Sequence, residues 1–200
     1  MKISRLLCDN PGSIASVIAR LSDADVVFVD CEGKDLGSQD GLLSTLGLGV
    51  YKSPDGPYDN PKGELVIYLV DVLAFQHPTG TISSSSSGSL LRPIFDLLAS
   101  PKVLKVGFDL RMDASELLHG HGVRLTHVLD LQVADVLSRA DWEDETTALQ
   151  RLIGYFLPVQ EVLGNRDVYK HVVKINGLDG ALLDQGFKLP RKKSRHSSWA

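Results

Sequence analysis

The stretch that decides the fold is residues 25–33, which read DVVFVDCEG. Side chains alternate between the two faces of a β-strand. The apolar side chains of this stretch would therefore face both ways, with Val26 and Phe28 on one side and Val27, Val29 and Cys31 on the other. Apolar residues on both faces are typical of a central strand that is covered on both sides. The sequence thus predicts a sheet with this strand near its middle.

Extended and helical patterns surround this strand. Apolar spacing and turn residues predict a helix ending near residue 22, strands over 42–51, 64–70, 103–106 and 128–129, and helices beginning near residues 90, 113 and 131. In the helix over 131–140, we expect Val133, Val136 and Leu137 to face inward. Three early strands in succession indicate an antiparallel meander, and the later alternation of strands and helices indicates parallel pairing. The prediction is an α/β fold with a mixed five-stranded sheet and helices on both faces.

Length and composition are those of one globular domain. The chain has 200 residues, 43% of them hydrophobic, and its formal net charge is -4. A chain of this size can bury a substantial apolar core. After Phe187 the charged residues are all basic, namely Lys188, Arg191, Lys192, Lys193 and Arg195. We therefore expect a domain over 1–187 and a basic tail over 188–200, in which these side chains could contact a phosphate backbone.

The cellular compartment is predicted from features that the sequence lacks. Two cysteines are too few for a disulfide framework, and no apolar run has the length of a membrane span. We expect an intracellular protein, in the cytoplasm or the nucleus, with no membrane partner. The sequence does not indicate an oligomeric state.

Two acids end the central strand. Asp30 and Glu32 are two residues apart, so their side chains share one face. Adjacent carboxylates repel each other and lose hydration when they are partly buried, and a cation between them would offset both costs. Magnesium and manganese prefer such oxygen ligands, and two ions about 4 Å apart can act on a phosphodiester. The alternative is a strand that simply ends in polar loop residues.

A second acidic cluster follows at residues 102–118, KVLKVGFDLRMDASELL. This stretch predicts a strand, a glycine-containing turn and a helix that begins with acids. Asp113 is followed three residues later by Glu116, which is also the pattern of a capping box. Capping needs no metal, and a carboxylate bonded to backbone donors keeps fewer lone pairs for an ion. The two roles of Asp113 would therefore compete.

Together with HVLDLQVADVL at 127–137, these motifs resemble the DEDD superfamily of 3'-5' exonucleases, in its RNase D, Werner exonuclease and EXD-like branch. The resemblance extends over about residues 25–183. It implies an RNase H-like three-layer fold, two Mg²⁺ or Mn²⁺ ions, and a nucleic-acid substrate such as RNA or single-stranded 3' ends. It also implies that Asp30, Glu32 and Asp113 are catalytic metal ligands, with Asp109 as a weaker candidate ligand. Asp130 matches a position that we interpret as structural, a cap of the helix that follows it.

The sequence departs from this family at the third motif. Relatives have Tyr-x-x-x-Asp or His-x-x-x-Asp on a late helix, whereas the one match here, Tyr51 with Asp55, falls between two early strands. The chain therefore either stops short of that motif or has lost it. Two hypotheses follow: a metal-dependent 3'-5' exonuclease that hydrolyses phosphodiester bonds, or a catalytically inactive exonuclease-fold module that binds nucleic acid or a protein partner.

Overall fold

The structure is a computed structural model, and it describes residues 2–52, 63–75, 87–140, 144–153, 158–170 and 172–188. The chain divides into two compact units, Met1–Leu131 and Gln132–Ala200. The assignment of residues 1–187 to one domain and 188–200 to a basic tail stays a prediction. No helix in the described parts of the chain combines the length and the apolar character that crossing a membrane would require.

The first unit contains one mixed sheet with the strand order β1-β4-β3-β2-β5-β6. Its strands are β1 (Lys2–Cys8), β2 (Val26–Lys34), β3 (Leu42–Lys52), β4 (Glu64–Asp71), β5 (Leu104–Gly107) and β6 (Val128–Asp130). The strands β2, β3 and β4 form the predicted antiparallel meander. The strands β5 and β6 continue the sheet in parallel beyond β2, also as predicted.

The sheet has six strands where the sequence predicted five. The additional strand, β1, pairs in parallel with β4, from Lys2 opposite Glu64 to Cys8 opposite Val70. Only Cys8 of this strand is buried, so β1 lacks the apolar alternation that would mark it in the sequence. Its place in the sheet depends on backbone pairing with a strand about sixty residues away, which a local pattern does not predict.

One face of the sheet is covered by helices α1 (Pro11–Leu21), α2 (Ser87–Ala99) and α3 (Arg111–His121). The helical members of this core are Ile14, Val17, Leu21, Leu91, Ile94, Leu98 and Leu117. They pack with Val27, Val29 and Cys31 of β2. On the other face of β2, Phe28 keeps 40% of its surface exposed. The prediction that both faces of this strand are covered is therefore wrong at Phe28, on the face that also contains Asp30 and Glu32.

The second unit contains most of α4 (Leu131–Ala140), followed by α5 (Glu145–Leu152), α6 (Val159–Gly164), α7 (Arg166–Tyr169) and α8 (Leu178–Asp184). Its small apolar core is formed by Leu149, Leu152 and Val162. The unit also contains a buried polar network: Arg139 pairs with Asp135 at 3.1 Å, and the Asn176 side-chain amide donates to Asp135 and Asp184.

This network reverses the expected orientation of α4. Gln132, Asp135 and Arg139 are buried, whereas Val133 is 56% and Leu137 is 65% exposed. The prediction that these two apolar residues face inward is thus wrong, while Val136, the third residue of that prediction, is half-buried. Partners supplied by later segments, such as the Lys174 carbonyl that accepts from Arg139, satisfy the buried polar groups.

Candidate functional site

The candidate site begins at the end of β2. Asp30 and Glu32 are both exposed and lie on one face, opposite Gly47 and Thr45 of β3. Among the described residues, neither carboxylate has a hydrogen-bond or ion-pair partner. Gly47 has no side chain to cover Asp30. The structure therefore leaves the oxygens of both acids available to a ligand.

The third acid, Asp113, is attached to the same strand. Asp113 lies in the first turn of α3, is 9% exposed, and accepts a hydrogen bond from the Cys31 backbone N–H at 2.7 Å. This N–H is free to bond a side chain because β5 pairs with β2 only as far as Phe28. Asp113 thus occupies the edge of β2 that β5 leaves open, between the positions of Asp30 and Glu32.

The helix start differs from the predicted capping box. Helix α3 has Leu110 at its N-cap, with no side-chain cap hydrogen bond. Asp113 and Glu116 lie inside the helix and accept from Cys31 and Gly37 instead. The capping-box interpretation is therefore wrong. The expected loss of a lone pair for metal binding remains, however, because one oxygen of Asp113 accepts a hydrogen bond from the Cys31 backbone N–H.

The charges of the other two carboxylates act on Asp30. Although Asp30 is exposed as a whole residue, its carboxyl is partly desolvated by its surroundings; this partial burial raises the pKa of Asp30, and the negative charges of Asp113 and Glu32 raise it further. Burial also raises the pKa of the Cys31 thiol, with a further contribution from Asp113. A cation near Asp30 would reverse this effect, because it would stabilise the ionised carboxylate.

The donor chemistry of the site fits a divalent cation. The two carboxylates without partners, with the second oxygen of Asp113, are the hard oxygen ligands that Mg²⁺ and Mn²⁺ prefer. In the described part of the chain, however, no three Asp, Glu, His or Cys side chains converge closely enough to hold a metal ion. The residue types therefore match a metal site, but the three side chains do not converge into a preformed set of ligands. Mg²⁺ usually keeps several waters and needs only one or two protein carboxylates.

The weaker candidate, Asp109, is engaged elsewhere. Its backbone has a φ of 56°, and its carboxylate accepts from Arg111 at 2.6 Å and 3.1 Å. Its backbone N–H and that of Leu110 each donate to Asp130 at 3.0 Å. Asp130 therefore has a structural role in the turn before α3. Asp109 is not among the charges that raise the pKa of Asp30.

Most of the predicted basic contacts lie outside the described residues. Lys188 is exposed and is the last residue that the structure describes. Arg191, Lys192, Lys193 and Arg195 follow it and lie outside the described residues, as does Asp55 of the misplaced third-motif match, which falls in an earlier gap. Contact of the five basic residues with nucleic acid stays a prediction.

One further acid, on the same helix as Asp113, was not predicted as a site residue. Glu116 is 4% exposed and accepts from the Gly37 backbone N–H at 3.0 Å. Its spacing from Asp113 places both acids on the same side of α3. That spacing was the available signal, but it was interpreted as capping.

No family model matches the sequence, and no curated protein is significantly similar to it. Among solved structures, the chain is similar to the Aedes aegypti Nibbler EXO domain, with a TM-score of 0.53 and 17% identity over 98% of this chain and 74% of that one. It is also similar to Trypanosoma brucei RNase D in complex with RNA U12, with a TM-score of 0.48 and 19% identity over 86% of this chain. The EXD2 exonuclease domain soaked in Mn and GMP has a TM-score of 0.47 and 22% identity, over 84% of this chain and 86% of that one.

The comparison with the Nibbler EXO domain establishes the fold. At such low identities a structural likeness shows only the architecture, and the match to the Nibbler EXO domain confirms the RNase H-like exonuclease fold that the sequence motifs implied. The chain spans 60% of the length of the trypanosome RNase D chain.

Proposed function

We propose that this protein is a metal-dependent 3'-5' exonuclease that acts on RNA or another single-stranded nucleic acid. One observation supports this most: on an exonuclease fold, β2 presents the carboxylates of Asp30 and Glu32 without partners among the described residues, and Asp113 is bonded to the residue between them. A bound cation would offset the electrostatic repulsion between such adjacent carboxylates. The sequence motifs that resemble the DEDD exonucleases include the same three acids.

In this proposal, Asp30, Glu32 and the second oxygen of Asp113 are the ligands for Mg²⁺ or Mn²⁺. The bound cation would supply Lewis-acid stabilisation of the charge that develops on the phosphate. Asp113 has a second task, because its bond to the Cys31 N–H fixes α3 against β2. The acidic face would repel a nucleic acid in the absence of metal, and the basic tail, Lys188 to Arg195, would attract it.

The second candidate function is a catalytically inactive module that keeps the fold and binds nucleic acid or a protein partner. One observation favours it: among the described residues, no three metal-ligating side chains converge closely enough to hold a metal ion. A metal held by fewer protein ligands than the mechanism needs would slow hydrolysis strongly.

The test is digestion of a 5'-labelled single-stranded RNA and the matching DNA in Mg²⁺ or Mn²⁺, with EDTA as the blank. We expect stepwise shortening from the 3' end by the wild-type protein and none by Asp30→Asn or Glu32→Gln. Asp23→Asn, which removes an exposed acid before β2, is the matched control and should remain active. An intact substrate with every metal, but a stable protein–RNA complex, would favour the inactive module.

A further inference from the structure

The loop between β2 and β3 is attached to helix α3 through one residue. It comprises residues 35–41, DLGSQDG, and turns with positive φ values at Asp35 (47°) and Gly37 (73°). The Gly37 N–H donates to Glu116 at 3.0 Å, and the Gly37 carbonyl accepts from the Ser115 hydroxyl at 3.3 Å. Both polar backbone groups of Gly37 are therefore bonded to α3.

The carboxylate of Glu116 occupies space that two glycines leave free. A Cβ on Gly41 would lie 2.4 Å from one oxygen of Glu116, and a Cβ on Gly120 would lie 2.8 Å from the other. The side chain is thus confined between the loop and its own helix. An acid buried to this degree is costly unless it is hydrogen-bonded, and the Gly37 N–H supplies such a bond.

Glu32 lies between two points at which α3 fixes the chain. Asp113 bonds Cys31, the residue before Glu32, and Glu116 bonds Gly37, five residues after it. The register with β3 shifts between Glu32 and Gly33. The sheet therefore holds this end of β2 less regularly than the rest of the strand, although the Ser44 hydroxyl of β3 donates to the Glu32 carbonyl at 2.8 Å. The two bonds to α3 add a fixed point on either side of Glu32.

We propose that Glu116 is a positioning residue: through Gly37 it holds the 35–41 loop, and with it the Glu32 end of β2, in the geometry in which Glu32 and Asp30 act together on a divalent cation. This role rests on the proposed function for its catalytic consequence. The mechanical part, fixing the loop, is independent of catalysis. Glu116 acts through Glu32 and does not itself contact the substrate.

The mechanical part is tested by hydrogen exchange of the metal-free protein. In Glu116→Ala, we expect the Gly37 amide to exchange on the order of tenfold faster or more, because its acceptor is gone. Glu116→Gln keeps an acceptor oxygen and should retain most of the protection. His119→Ala changes an exposed neighbour on the same helix and serves as the control. Unchanged Gly37 exchange in a folded Glu116→Ala protein would overturn the proposal.

The effect on the site is tested by Mn²⁺ binding, followed by the EPR signal of free Mn²⁺, and by kinetics with labelled RNA. We expect Glu116→Ala to weaken Mn²⁺ binding several-fold and to lower kcat with little change in KM, while Glu116→Gln stays near wild type. If Glu116→Ala does not fold, Ser115→Ala takes its place and should show a smaller effect in the same direction.

The outcomes separate this inference from the nuclease assignment. If the wild-type protein has no nuclease activity, but Glu116→Ala accelerates Gly37 exchange and weakens Mn²⁺ binding, the positioning role stands and the nuclease function fails. Equal Mn²⁺ affinity in the wild-type and Glu116→Ala proteins, despite faster exchange at Gly37, would contradict the positioning role.

Discussion

Replacing Asp113 separates two tasks that one carboxylate performs. One oxygen of Asp113 accepts a hydrogen bond from the buried Cys31 N–H at 2.7 Å. The negative charge of Asp113 adds to the effect of partial burial in raising the pKa of Asp30. Asp113→Ala removes both the acceptor and the charge. Asp113→Asn removes the charge but keeps an oxygen in place to accept the same bond.

The two variants should differ in stability. A buried backbone N–H left without an acceptor costs about 1–3 kcal/mol. For a chain of this size, 1 kcal/mol corresponds to about 2–4 °C in Tm, so Asp113→Ala should lower the Tm by about 2–12 °C. Asp113→Asn should lie within about 1 kcal/mol of wild type, because it loses charge assistance but also relieves the repulsion of Asp30.

The assay is thermal and urea denaturation in EDTA, followed by Mn²⁺ titration of the folded proteins. Both variants should bind Mn²⁺ more weakly and lose nuclease activity, whereas only Asp113→Ala should lose stability. The exposed control Asp23→Ala should change neither property. If Asp113→Ala is as stable as wild type, or if the two Asp113 variants lose stability equally, the reasoning about the Cys31 bond is refuted.

Three further predictions concern pH and backbone geometry. Partial burial and then the neighbouring carboxylates raise the pKa of Asp30, so the contribution of Asp30 to the free energy of unfolding falls as pH rises from the ordinary carboxyl pKa through the raised one. In EDTA, Asp30→Asn should therefore be more stable than wild type at neutral pH, and urea denaturation at several pH values should show this advantage vanish below the ordinary carboxyl pKa. Burial opposes ionisation of Asp184, but hydrogen bonds from Arg151 and Asn176 outweigh it and lower the pKa of Asp184. Its contribution to the free energy of unfolding is therefore present above the ordinary pKa and lost as pH falls through the lowered one; Asp184→Asn should be less stable at neutral pH and less sensitive to acid, as urea denaturation at several pH values will show. Gly33→Ala would place a Cβ 2.1 Å from the main-chain oxygen of Leu42, so the backbone would have to shift. This variant should therefore lose more than the roughly 1 kcal/mol of stability that is typical of a point mutation. An unchanged Tm would contradict this expectation.

Local patterns were sufficient for the centre of the sheet. The period-two alternation of residues 25–33 placed the strand, and the same period put Asp30 and Glu32 on one face. The meander and the later parallel strands followed from the order of the elements. These features depend on residues that are close in sequence, so the sequence contains the information needed to predict them.

Features that depend on distant partners were missed or misinterpreted. The strand β1 exists because its backbone pairs with β4, and the polar face of α4 is buried because Asn176 and the Lys174 carbonyl meet it. Neither partner is close in the sequence. An apolar stripe alone therefore gave the wrong orientation for α4.

At the candidate site, the sequence by itself identified three acids as candidate ligands: Asp30, Glu32 and Asp113. Only the tertiary structure decided how they are held. Asp113 bonds β2 across 82 residues and Glu116 bonds the following loop across 79, because β5 leaves the edge of β2 open and α3 fills it. A backbone N–H must find an acceptor when it is buried, and which side chain supplies that acceptor is settled only when the helix packs against the strand.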